Sequence, residues 1–166
     1  SVSSRSVAQK HERFGGQGYA LARLASGRVL APEVMVETGS TAAISGGYGS
    51  SLSFPTVLHD VSVIDAAAAS IAVAPVRPSG GPTPCLLPRA AAVDEAGGEL
   101  LVACMGLNGV IAYGAEARLP VLDERRRWLV GAGPTGLAID AAGRRAVVFA
   151  QFEGAQHGEL AVAVST

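Results

Sequence analysis

The stretch "PRAAAVDEAGGELLVACMG" at residues 88–106 has a counterpart in "PTGLAIDAAGRRAVVFAQF" at residues 134–152. The two stretches are offset by 46 residues, which aligns Asp94 with Asp140 and places a glycine three residues after each. Each stretch predicts a strand, a tight turn and a second strand, because Asp accepts hydrogen bonds from nearby amides and Gly adopts positive φ without steric cost. A repeat of this period indicates an array of similar units.

A weaker copy of the pattern, "GYALARLASGRVLAPEVM" at residues 18–35, keeps both strands but has a turn at Gly27 that is one residue shorter. Two more short strands follow in each of the first two units, and one more follows in the third. These predicted strands are 60–66 and 70–76 in the first unit, 109–115 and 126–132 in the second, and 159–165 in the third.

The sequence therefore predicts an all-β fold of about three four-stranded antiparallel units, which are the blades of an incomplete β-propeller ring. Four strands per unit of roughly 45 residues are typical of propeller blades. The strands are short and rich in β-branched residues, which disfavours a helical repeat and leaves a β-sandwich or barrel as the alternative. The prediction is one domain, 1–166, with units at about 17–76, 85–132 and 133–166 and an insertion loop at about 37–56.

Bulk composition excludes some classes of function. The net charge of the 166 residues is −1, so the chain lacks the basic surface of a nucleic-acid-binding protein. No apolar run reaches the roughly 18 residues of a membrane helix. We therefore expect neither a nucleic-acid partner nor membrane insertion. The one basic run, at residues 125–127, follows Asp123 and Glu124 and predicts a solvated turn with local charge pairing.

These stretches resemble the YVTN family of β-propeller repeats, which is close to the lactonase-like and NHL propellers. The family pattern has a Pro-x-Gly opening, a Pro-Asp-Gly-Arg turn and a "VSVID" strand, and residues 133–151 and 60–76 are similar to it. The resemblance covers roughly residues 17–166 and specifies a fold better than a function. It implies a bacterial protein of the periplasm or the extracellular space. It also implies a scaffold, sometimes joined to c-type cytochrome or di-haem cytochrome c peroxidase-like domains.

The ring predicted here is incomplete. A propeller closes with roughly four to eight blades, and the third unit lacks a fourth strand. An unpaired sheet edge invites association with another strand. The sequence therefore predicts that a partner chain, or a further part of the same polypeptide, completes the ring. A strand supplied to a neighbouring blade by residues 1–15 is the alternative.

The chain has two cysteines, Cys85 and Cys104, and neither begins the C-x-x-C-H motif that attaches haem c. Two separated thiols are also too few for a zinc site. The predicted turn places Cys104 opposite Arg89, four residues from Cys85. Bends of the chain at Pro84 and Pro88 could bring the two sulfur atoms within bonding distance, but they need not. A disulfide and two separate thiols remain as alternatives, and an even count in an exported protein favours the disulfide.

The family pattern places residues near the Pro-x-Gly opening of each unit on the central channel. The resemblance thus implies that Tyr19, Arg89 and Thr135 contact a ligand or a partner, with hydrogen bonding between blades as the alternative. The histidines lack metal-ligand spacing and are predicted to be ordinary polar residues, with His59 at an edge or rim. They are His11, His59 and His157.

No nucleophile elbow, phosphate-binding loop or carboxylate pair suited to acid–base chemistry occurs in the sequence, and Asp65, Asp94 and Asp140 are predicted to be turn residues. We therefore predict no catalytic residue, metal or cofactor on this chain, although its status as an enzyme stays open. The first hypothesis is a non-catalytic propeller scaffold or docking segment. The alternative is the propeller part of a haem-dependent electron-transfer or peroxidase-like oxidoreductase, with haem on a partner or adjoining domain. A lactonase-like hydrolase ranks third.

Overall fold

Short antiparallel strands account for most of the described chain, and two single-turn 3-10 helices, Met105–Leu107 and Pro120–Leu122, lie among them. The structure is a computed structural model. It describes residues 13–37, 57–72, 82–140, 145–152 and 160–162.

The first sheet, sheet A, is a meander whose inner edge is built from two short strands. β1 and β2 both pair with β3, which pairs with β4, which in turn pairs with β5. The strands are β1 (Arg13–Gly18), β2 (Ala22–Arg23), β3 (Val29–Glu37), β4 (Val57–Asp65) and β5 (Ser70–Ala72).

The second and third sheets follow the same order, in which each strand pairs with the next one along the chain. Sheet B contains β6 (Pro88–Asp94), β7 (Glu99–Cys104), β8 (Gly109–Gly114) and β9 (Glu124–Leu129). Sheet C contains β10 (Pro134–Ile139), β11 (Ala146–Ala150) and β12 (Leu160–Val162).

The predicted fold class is confirmed: the chain is all-β, and its antiparallel sheets form an open, propeller-like array. The inner strands are neighbours, since β6 contacts both β2 and β10. The first sheet begins at Arg13, earlier than the predicted start of the first unit. The division into a single domain stays a prediction. The insertion loop lies outside the described residues beyond Glu37.

Sheet B is the central sheet, and its two middle strands, β7 and β8, are buried on both faces. Every residue of β7 is buried. Leu100 and Val102 belong to the core that sheet B shares with sheet A, whereas Leu101 packs with Ala146 and Val148 of sheet C. This two-sided burial explains why "ELLVAC" reads as a continuous apolar run and not as an alternating strand.

The turn chemistry predicted for the aspartates is confirmed at two of the three positions. The Asp94 carboxylate accepts a hydrogen bond from the amide of Gly97 at 3.1 Å. The Asp65 carboxylate accepts from the amides of Ala67 and Ala68 at 3.0 and 3.1 Å. The turn that follows Asp140 lies outside the described residues. Short polar side chains thus end the strands by satisfying amides that leave the ladder.

Candidate functional site

The three residues implied for the channel occupy equivalent irregular positions on the inner strands. Pro88 and Ala90 pair with successive residues of β7, so Arg89 is the extra residue of a β-bulge. Thr135 holds the same place in β10, opposite β11. Tyr19 lies just after β1. Between the pairs Gly18–Glu33 and Ala22–Leu30, the inner side has three residues, 19–21, and β3 has only two. A bulge turns a side chain away from the regular ladder, which suits a contact position.

Two of these three residues meet in the structure. The Arg89 guanidinium lies 4.0 Å from the centroid of the Tyr19 ring, in a cation–π contact between sheets A and B. Tyr19 remains 47% exposed. Within the described ranges, the Nε atom of Arg89 is buried without a hydrogen-bond partner. No hydrogen bond or ring contact joins Thr135 to either residue there. Binding by these residues stays a prediction.

A disulfide joins Cys85 to Cys104, with a Cα separation of 5.0 Å, so the alternative of two separate thiols does not hold in this structure. The bulge corrects the predicted register, because Cys104 pairs with Pro88 and not with Arg89. Backbone hydrogen bonds from Met105 and Gly106 to the carbonyls of residues 86–87 hold the same loop. The bridge therefore fixes the chain immediately before Arg89.

His59 lies within β4, where it pairs with Val34 of β3, and not before a strand that begins at residue 60 as predicted. Its edge or rim position stays a prediction. Its half-buried side chain lines a narrow cleft between sheets A and B, beside Cys85 and Tyr113, where the space is too small for a water molecule. The Nδ1 atom is buried without a hydrogen-bond partner among the described residues. Burial lowers the pKa of this imidazole, because the cleft disfavours the charged form.

Acidification is expected to destabilise the protein through His59. The unfolded chain binds a proton near the ordinary pKa of 6.5, whereas the folded form resists it, so stability falls as the pH drops below that value. Urea unfolding between about pH 7.5 and pH 5 should show a shallower dependence in His59→Gln than in the unchanged protein. Parallel curves for the two proteins would contradict this assignment.

The basic run is part of strand β9, which agrees with the strand predicted at 126–132 and not with the solvated turn predicted for 125–127. Its local charge pairing is confirmed. Arg126 pairs with Glu99 at 2.6 Å, and the Glu99 side chain is only 5% exposed. Trp128 packs against the core between sheets B and C. The neighbouring ion pairs are Arg125 with Asp123 and Arg127 with Glu124.

One face of sheet C is apolar but uncovered. In β11 the buried positions alternate with exposed ones, and Val147 and Phe149 are 38% and 53% exposed. The 46-residue offset aligns them with Leu101 and Ala103, which are both fully buried, and Leu101 packs against sheet C. The exposed face, defined here as the open face by Val147 and Phe149, therefore corresponds to the face of sheet B that sheet C covers.

No cluster of three or more His, Cys, Asp or Glu that could hold a metal ion is found in the described residues. In that part of the chain no helix has the length and apolar character needed to cross a membrane. His11 and His157 lie outside the described residues.

No protein-family model and no curated protein match the sequence. The chain is similar in structure to hydrazine synthase of Kuenenia stuttgartiensis, with a TM-score of 0.69 and 12% sequence identity. The match covers 91% of this chain and 46% of that one, so the chain spans about half the length of its neighbour. At this identity the likeness shows the fold alone. Membership of the YVTN family stays a prediction.

Proposed function

We propose that this chain is a non-catalytic scaffold segment of an exported bacterial protein, whose open face receives a further blade of a propeller. The observation that carries the proposal is the exposure of Val147 and Phe149, because their repeat counterparts are fully buried beneath the following sheet. Burying apolar side chains is the main favourable term in such contacts.

The internal interfaces indicate the chemistry of the occupant. In sheet B, Leu100 and Val102 face the preceding sheet, and in sheet C the aligned residues Ala146 and Val148 do the same. The partner should therefore be a four-stranded antiparallel sheet that presents alternate small and branched apolar residues. Another chain or a further length of this polypeptide supplies such a blade equally well.

Two findings support export and a scaffold role, which are the other parts of the proposal. The Cys85–Cys104 disulfide suits an oxidising compartment outside the cytoplasm. The open, propeller-like array of sheets suits a scaffold that is continued by further blades.

The proposal is tested by appending a copy of residues 88–132 after Thr166, with alanine at the copied Cys104. A thiol introduced as Val147→Cys should react with maleimide about tenfold more slowly in the extended protein, because the added blade covers it. A thiol introduced as Leu129→Cys is the control, since Leu129 is 84% exposed on β9, and its rate should not change.

A second control separates docking from general crowding by the added sequence. Glutamate in the copy at the positions of Leu100 and Val102 should restore the fast reaction of the thiol at position 147. An unchanged rate in the first extended protein, or equal protection by the glutamate-bearing copy, would overturn the proposal.

A further inference from the structure

We propose that Arg89, stacked on Tyr19, forms an anion-binding site on the inner strands that takes the carboxylate of a small organic acid. The site does not depend on the open face of sheet C, which lies on another sheet. Its starting observation is a cation without a counter-ion: in the described part of the chain the Arg89 guanidinium contacts the Tyr19 ring but meets no carboxylate.

The contact with Tyr19 uses none of the N–H donors of the guanidinium. The Arg89 Cζ atom lies 4.0 Å from the centroid of the Tyr19 ring, whereas the five N–H bonds of a guanidinium point outward in its plane. The buried Nε–H of Arg89 lacks an acceptor, and leaving a buried donor unsatisfied is costly. An incoming acceptor would remove that cost.

The donor arrangement favours a carboxylate. A guanidinium edge offers two parallel N–H bonds, which match the two oxygens of a carboxylate. Arg89 contributes a single positive charge, which a monoanion neutralises and a phosphate dianion exceeds. We therefore assign a monocarboxylate in preference to phosphate.

The two side chains are held in place by elements on both sides of the contact. Arg89 follows the disulfide-anchored loop directly, and its neighbour Pro88 pairs with Cys104. Tyr19 belongs to sheet A, which is tied to sheet B by the Arg28 guanidinium, 2.9 Å from the Glu116 carboxylate. A site whose groups are fixed beforehand loses less entropy when it binds.

The probe is acetate, added to the ¹⁵N-labelled full chain at constant ionic strength against sodium chloride. The Nε–H resonance of Arg89, identified by its loss in Arg89→Lys, should shift saturably, and that of Arg125 should not. Tyr19→Leu should weaken binding about tenfold because it removes the stacking surface, whereas Tyr19→Phe should bind as the unchanged protein does.

Three results would overturn the proposal: no saturable shift of the Arg89 resonance with acetate, the same shift with chloride alone, or the same affinity in Tyr19→Leu. Tighter binding of inorganic phosphate than of acetate would overturn the assignment to a carboxylate. The maleimide experiment on the open face should give the same result whatever happens here, so failure of one proposal is distinguishable from failure of the other.

Discussion

Replacing Cys85 and Cys104 with alanine is expected to lower the free energy of unfolding by about 3 kcal/mol. The bridge closes a loop across a sequence separation of 19 residues, and in the chain-entropy account this restricts the unfolded chain more than the folded one. Alanine is the suitable substitute because Ala150 occupies the position of Cys104 in the third unit and is buried there.

Urea unfolding followed by circular dichroism, with and without the two substitutions, measures this loss. Reduction of the unchanged protein should reproduce most of it, which separates loss of the bond from loss of sulfur packing. A decrease below about 1 kcal/mol in both experiments would show that the bridge adds little to the backbone hydrogen bonds of the same loop.

Replacing Arg126 with methionine is expected to lower the free energy of unfolding by about 2 to 3 kcal/mol. The substitution leaves the Glu99 carboxylate, whose side chain is 5% exposed, without the guanidinium that lies 2.6 Å away. Desolvation of an uncompensated charge is the physical cause, because β7 offers that carboxylate little access to water.

The matched control comes from the same arginine run. Arg127→Met breaks a pair with Glu124 whose side chains are 30% and 21% exposed, and it should cost less than about 1 kcal/mol. Adding Glu99→Gln to Arg126→Met should recover much of the loss, because the buried charge disappears. Equal losses for the two arginine variants in urea unfolding would contradict the explanation.

The repeated features of the sequence predict the described strands of the second and third units. The 46-residue offset placed β7 and β11 correctly, since strand–turn–strand chemistry is local. The first turn is one residue shorter than the others, as predicted: the amide of Leu24 donates to the carbonyl of Arg28, whereas that of Asp140 donates to Arg145.

Features that depend on irregular pairing or on contact between sheets were missed. The bulge at Arg89 moves the partner of Cys104 by one residue, and no local residue pattern announces it. The charges nearest to Arg126 in sequence predict local pairs, yet its partner Glu99 lies in another strand. The sequence predicts that His59 precedes its strand, because that strand is predicted to begin at residue 60, whereas β4 begins at Val57.

The sequence predicts which residues belong to the candidate site but not how they contact one another. The family resemblance implies Tyr19, Arg89 and Thr135, and the 46-residue offset makes Arg89 and Thr135 equivalent. The stacking of Tyr19 on Arg89 joins residues of different units, so it depends on how two sheets pack and not on either unit alone. The missing acceptor at Nε was likewise visible only in three dimensions.

Alternate residues of β7 contact different neighbouring sheets, and this arrangement has an evolutionary consequence. Leu100 and Val102 pack against the preceding sheet, and Leu101 packs against the following one. Both contact surfaces of sheet B are therefore encoded within one unit. Interactions in such arrays are confined to adjacent modules. Tandem gene duplication or deletion of a whole module would then lengthen or shorten the array while leaving the surviving contacts intact.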